Sequence, residues 1–218
     1  GFGNENVFSQ IQKERYNKAN LHLSIDGSGS MSGGKFEKAI KSAVAMAKAA
    51  DMAGNIHVTV DVRWTNKDKP IVVIVYNSKK DKLTKIKTLW KALQPGGVTP
   101  ESLCYEAIMK KWLQGSNGED NYFINYSDGA PWFSTGGRRY ASYDVYYAGD
   151  PAVDHTRRMV KMMKNNGIKI MSYFISEGYR SENDENTFKR MYGKDASFID
   201  CTNMMSVAKT MNDKFLQK

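Results

Sequence analysis

The chain has 218 residues, 41% of them hydrophobic and 25% charged, with a formal net charge of +9. That length suits one substantial core and is short for two, and the composition is ordinary for a globular domain. No apolar run reaches bilayer length; the longest, Ile71 to Tyr76, is strand-sized, which excludes a spanning helix and predicts no membrane role. The opening Gly1-Phe2-Gly3-Asn4-Glu5 has neither a basic start nor an apolar stretch, so it reads as no secretory signal. Lacking an initiator Met, it also reads as a fragment or a processed product. Two cysteines, Cys104 and Cys201, make no disulfide framework and predict a reducing, cytoplasmic setting.

Residues 1–19 are polar and weakly patterned, a helix or a linker ahead of a domain spanning 20–218. A first strand is expected over Leu21 to Ile25, followed by a helix from Lys35 to Ala53 that Gly54 stops. Ile56, Val58, Val60 and Val62 alternate with polar residues as in a half-buried strand, and Ile71 to Tyr76 forms another, begun by Pro70. Helices follow over Leu83 to Leu93 and Pro100 to Leu113, then a short strand from Tyr122 to Tyr126 and an irregular stretch from Ala130 to Pro151. The remaining elements are a helix over Val153 to Asn165, a strand over Ile168 to Ile175, a helix near Glu185 to Tyr192, a strand over Ser197 to Asp200 and a last helix over Met204 to Leu216. Such alternation predicts a Rossmann-like, doubly wound α/β fold: a mostly parallel sheet of about six strands, one of them an antiparallel edge, flanked by helices. Between Lys67 and Lys91 lie eight lysines against two aspartates. This reads either as a solvated helix face with a lysine-protected sheet edge or as a contact for nucleic acid or an acidic protein.

Chemistry gathers where predicted strands end. The first strand runs into Asp26-Gly27-Ser28-Gly29-Ser30, one carboxylate and two hydroxyls at i, i+2 and i+4 with glycines between them. Hard oxygen donors at that spacing suit a small divalent cation, and the glycines let the backbone curl until all three converge. Ser127-Asp128-Gly129 likewise follows a predicted strand, and doubly wound sheets bind ligands in the crevice at their strands' carboxyl ends.

With Gly97-Val98-Thr99-Pro100, these segments resemble the metal-ion-dependent adhesion site of the von Willebrand factor type A (VWA) domain: Asp-x-Ser-x-Ser, then a Thr, then an Asp, in that order. The resemblance covers Asn20 to the C-terminus and implies a cation held by Asp26, Ser28, Ser30, Thr99 and Asp128. Ser28 and Ser30 would bind it directly, the other three directly or through water. Mg2+ is the implied ion, with Mn2+ or Ca2+ as substitutes, and the implied activity is non-catalytic capture of a partner's Glu or Asp at an open coordination position.

Ser127-Asp128-Gly129-Ala130-Pro131, Asp154-His155-Thr156-Arg157-Arg158 and Phe188-Lys189-Arg190-Met191-Tyr192-Gly193 further resemble the VWA domains that work with MoxR-type AAA+ ATPases, such as the cobaltochelatase T subunit and the nitric-oxide-reductase activation protein. That implies an adaptor or subunit of an AAA+ chaperone or chelatase-like assembly. The chain departs from those domains in a tyrosine-rich insert, Tyr140 to Tyr147, and in lacking a long acidic region upstream. Around this insert Trp132, Phe133, Tyr140, Tyr143, Tyr146 and Tyr147, with Arg138 and Arg139, crowd into one loop, either as interface anchors or as aromatics folded back onto the sheet's end.

Other readings stand beside these. Thr99 before Pro100 also suits a helix cap, and Asp128-Gly129 a plain turn. Gly29 to Lys35 mimics a phosphate loop, but Phe36 stands where a Ser or Thr should hold magnesium. An RNA-associated VWA protein using the lysine-rich stretch, or a nucleotide-binding enzyme using Gly29–Lys35, are the alternative functions. His22, His57 and His155 are scattered and read as packing or surface residues.

Overall fold

In the sequence His22, Ser24 and Asp26 look like the wet side of a half-buried strand, yet all three are buried along with Leu21, Leu23 and Ile25. The cause is position. Strand β1 (Ala19–Asp26) lies in the middle of a six-stranded sheet, covered on both faces. The computed structural model describes residues 18–216 except 68, 90, 112, 114–118 and 136–144. Of the helix or linker expected over residues 1–19, the first 17 lie outside this range, and Ala19 already belongs to β1.

β1 pairs in parallel with β2 (Ile56–Asn66) on one side and with β4 (Asp120–Ser127) on the other. β4 pairs in parallel with β7 (Ile168–Ser176), and β7 with β8 (Ala196–Asp200). β3 (Lys69–Asn77) is antiparallel to β2 and closes that edge, giving the order β3-β2-β1-β4-β7-β8. This is the expected doubly wound arrangement, antiparallel edge strand included. Two short strands, β5 (Phe133–Ser134) and β6 (Tyr146–Tyr147), form a separate hairpin within the stretch expected to be irregular.

The helices are α1 (Gly34–Ala53), α2 (Leu83–Leu89), α3 (Glu101–Lys111), α4 (Gly149–Asn165), α5 (Glu182–Tyr192) and α6 (Met204–Leu216). Each face of the sheet has its own core. On one face Leu21, Leu23, Ile25, Val58, Val60 and Val62 meet α1 and α6 through Phe36, Ile40, Ala43, Val207 and Met211. On the other, Phe123, Ile170 and Phe174 meet α3, α4 and α5 through Tyr105, Ile108, Val160, Phe188 and Tyr192.

Several boundaries move, for local reasons. β2 runs on past Val62 because Arg63 and Thr65 continue the alternation, and both are buried. α4 starts at Gly149, with Pro151 in its first turn, where a missing N–H is harmless. α5 starts at Glu182 because the Ser181 hydroxyl accepts a hydrogen bond from the Asp184 N–H at 3.1 Å, a proper N-cap. The lysine-rich stretch is not one patch. Lys67 and Lys69 lie at the strand end of the metal-type motif, whereas Lys79, Lys80 and Lys82 lie beyond the far end of β3. Nine extended residues separate the two groups by on the order of 30 Å.

The second face carries a polar seam under its apolar cover. Arg63 Nη1 donates to Ser24 Oγ at 2.9 Å; its Nη2 reaches Glu101 Oε2 at 2.9 Å and Asn125 Oδ1 at 2.5 Å. Glu101 Oε1 also accepts from Tyr105 at 2.9 Å and from Tyr192, and Asn125 donates to Ser172 at 2.7 Å. Ser24 donates to Asp61 at 2.8 Å, and Asp61 pairs with His22 at 2.5 Å. Burial alone would lower the Arg63 pKa; the Glu101 carboxylate, with Tyr105 and Asp26, reverses this and raises it well above its ordinary value. Removing one partner of such a pair strands a charge in the interior. Glu101→Ala should therefore destabilise the fold by about 3–5 kcal/mol in urea melts followed by circular dichroism.

Candidate metal centre

All parallel strands end at one edge, and there the chain turns into the segments that the sequence singles out. The turn after β1 is held flat against β2: Gly27 N–H donates to Arg63 O at 2.7 Å, and a Cβ on Gly27 would stand 2.7 Å from Val62 Cγ1. Only glycine fits. From there Ser28 leads into a single 3-10 turn, Gly29–Met31, whose Met31 is buried beneath it. The loop before α3 is laced onto this turn by Gly96 N–H to Gly27 O at 2.8 Å and Gly29 N–H to Gly97 O at 3.1 Å. Gly97, at φ 68°, presses so closely on Thr65 that a Cβ would sit 2.3 Å from its Oγ1.

These turns bring all five sequence-predicted ligand residues together, although nearly a hundred positions separate Ser30 from Asp128. Asp26 Oδ1 accepts from the Ser28 backbone N–H at 2.8 Å; its Oδ2 accepts from Thr99 Oγ1 at 3.3 Å and Ser127 Oγ at 3.1 Å. Ser28 Oγ lies 3.0 Å from Ser30 Oγ, and Ser30 Oγ donates to Asp128 Oδ1 at 2.7 Å. Thr99 thus turns its hydroxyl to Asp26, and its carbonyl accepts from Trp132 N–H at 2.8 Å.

The donor set is two carboxylates and three hydroxyls, hard oxygens all, which suits Mg2+ or Ca2+ far better than a thiophilic ion. Among the described residues no three His, Cys, Asp or Glu side chains gather into a richer site. Such a set balances a dication's charge without filling six coordination positions, so residual positions fall to water or to an incoming ligand.

Electrostatics at the site are asymmetric. Asp26 is fully buried, and desolvation pushes its pKa from 3.8 up to about 6, with Arg63 opposing the rise and Glu101 and Asp128 adding to it. Asp128 is met by the Lys35 ammonium, from the first turn of α1, on its Oδ2.

Sequence reasoning missed three contributors. Ser127 belongs to the Ser127-Asp128-Gly129 segment but is not among the five ligand candidates. Lys35 enters the sequence reading as a helix start and a phosphate-loop lysine, not as a partner of Asp128. Arg63 fell one residue beyond the expected strand, where its continuation of the alternation was the available signal. The phosphate-loop geometry is not formed for Lys35, which is turned to Asp128, while Phe36 is buried in the core.

The aromatic insert divides. Trp132, bonded through its backbone N–H to Thr99, is 44% exposed and Tyr146 is 77% exposed, whereas Phe133 is buried. Tyr147 folds inward, its hydroxyl on Ser102 and its ring edge-on to His155 at 5.7 Å. Arg138, Arg139, Tyr140 and Tyr143 lie outside the described residues. His155 bonds Ser102 at 3.0 Å and Glu106 at 3.0 Å, and His57 bonds Ser78 at 2.6 Å, so both histidines are engaged away from the site. Cys104 and Cys201 are both free and buried, and burial raises both thiol pKa values. No helix among the described residues is long and apolar enough to cross a membrane.

No protein-family signature and no curated protein sequence matches this chain. Solved structures do. The vWF domain of the type V pili tip protein Mfa5 from Porphyromonas gingivalis is similar with a TM-score of 0.70 at 12% identity, over 93% of this chain and 96% of that one. The pilus adhesin SpaC from Lactobacillus rhamnosus GG, in its open conformation, gives 0.69 at 13% identity, over 94% of this chain but only 30% of the adhesin. A von Willebrand factor type A protein from Catenulispora acidiphila gives 0.62 at 12% identity, over 92% of this chain and 43% of that one. The chain has the VWA fold.

A raised folded-state pKa favours the protonated form, so the contribution of Asp26 to stability is fully present below pH 3.8 and is lost as pH rises through 6. For chelator-treated protein the loss should be about 3 kcal/mol. Between pH 4 and pH 7 urea melts should show wild type losing about 2 kcal/mol of this, over and above Asp26→Asn, which cannot titrate.

Proposed function

We propose that this domain is a non-catalytic binding module that holds a divalent cation at Asp26, Ser28, Ser30, Thr99 and Asp128 and captures a carboxylate from a protein partner. The convergence of those five side chains at one sheet edge supports the reading. Mg2+ is the proposed ion, with Mn2+ or Ca2+ able to replace it. Bound there, it would supply a Lewis-acidic position for an anionic ligand. The chain's own residues do the rest. Asp26, held by Ser28, Thr99 and Ser127, ties three segments to one point. Gly27 and Gly97 let those segments approach closely enough. Trp132, fixed through its backbone to Thr99, offers an aromatic face beside the site, and Tyr146 stands out from the neighbouring hairpin.

For the partner we propose a MoxR-type AAA+ ATPase, in a cytoplasmic assembly, on the sequence resemblance already described. Of the segments that carry that resemblance, Thr156, Phe188 and Tyr192 serve the interior: Thr156 bonds Ser102, and the other two fill the second core. Contact with a partner therefore falls to the exposed rim. A second reading takes its partner class from the pilus proteins that share the fold: an extracellular ligand bearing an accessible carboxylate. The dispersal of Lys67–Lys82 along a whole edge strand leaves an RNA track with less to stand on.

Capture experiments with the immobilised domain test this. Partner capture should require Mg2+, be lost in EDTA, and be lost for Asp26→Ala and Asp128→Ala while far-UV circular dichroism is unchanged. Full capture in EDTA by both variants would overturn the proposal, and identification of the captured protein separates the two partner classes. Trp132→Ala should weaken capture by about tenfold or more without changing Mg2+ affinity, as truncating an interface anchor does.

A further inference from the structure

Lys35 stands in the first turn of α1, where the helix's own field is positive and a cation is disfavoured. Its side chain is only 17% exposed and its ammonium rests on Asp128 Oδ2, while Ser30 donates to Oδ1 of the same carboxylate. Both oxygens of Asp128, whose side chain is 1% exposed, are thus engaged by the chain. Beneath the site Arg63 and Glu101 offset one another in their own pair. Among the groups bonded to the five donor side chains, Asp26, Asp128 and Lys35 carry the remaining charge, one negative unit rather than two.

We propose that Lys35 is a resident counter-cation that shares Asp128 with an incoming divalent ion, loosening the metal while making the loaded site net positive and so more attractive to an anionic ligand. The inference rests on the metal-binding reading above. Its logic is charge counting. With Lys35 present, a dication brings the three-residue site to one positive unit; with Lys35 neutralised, the same ion brings it only to zero. In a largely desolvated pocket these charges interact strongly, because little water screens them. Metal affinity and ligand affinity must then move in opposite directions when the lysine is changed. A purely structural lysine would not produce that pattern.

The probe is Mn2+, whose free fraction is read by electron paramagnetic resonance, followed by acetate titrated into Mn2+-saturated protein with water-proton relaxation as the readout. Lys35→Met should lower the Mn2+ dissociation constant by about tenfold or more and raise the acetate dissociation constant by a similar factor, both effects shrinking at high salt. Lys35→Arg keeps the charge and should stay near wild type, which separates charge from packing. An unchanged or weaker Mn2+ affinity in Lys35→Met, or an unchanged or stronger acetate affinity, overturns the inference while leaving the metal centre intact. Absence of Mn2+ binding in wild type removes the metal centre itself, and the inference with it. Binding in wild type that Asp128→Ala abolishes confirms that the probe reports this site.

Discussion

A guanidinium sealed inside the sheet sets the terms for everything at its edge. Arg63 shares its register position with Asp26 on the adjoining strand, and it reaches Ser24, Glu101 and Asn125 at once. In doing so it fixes β1, β2, β4 and the start of α3 relative to one another. Glu101 lies two residues after Thr99, so the pair that anchors α3 also places the Thr99 hydroxyl over Asp26. Without that positive charge, Asp26 and Glu101 would be two buried carboxylates repelling each other in a poorly screened interior. The site is thus a surface feature with an interior foundation.

That foundation was hard to see in the sequence, whereas the site above it was plain. Asp26-x-Ser28-x-Ser30 announces itself because donors and glycines alternate within five residues. Thr99 and Asp128 each follow a recognisable break from a regular element. The seam beneath is different. His22, Ser24, Asp61 and Arg63 obey the same period of two that marks a solvent-facing strand side, and only the central placement of β1 and β2 buries them. Periodicity tells which residues share a face; it does not tell whether another layer covers that face. The order of strands, with α3 and α5 laid over the second face, is tertiary information. The same limit explains β2, where the apolar alternation stops at Val62 but the strand runs on to Asn66.

The aromatic insert shows how one stretch of sequence serves two ends. Phe133 and Tyr147 are neighbours across the small hairpin and turn inward, Tyr147 against Ser102 and His155. Trp132 and Tyr146 flank them and face solvent. Composition alone made the two alternatives look exclusive. The alternation of a two-stranded ribbon lets both hold, residue by residue, because adjacent side chains on a strand point to opposite sides.

The strand order also governs the sequence of events in folding. β1 lies next to β4, so the centre of the sheet joins segments about a hundred residues apart, and Ser30 meets Asp128 across a separation of 98. Contacts so remote along the chain are entropically costly to close and tend to form late. A nascent or truncated chain ending before β4 carries Asp26, Ser28 and Ser30 without their distant counterparts. The convergence of the five oxygen donors is therefore a property of the finished sheet, acquired only once the second half of the polypeptide has docked.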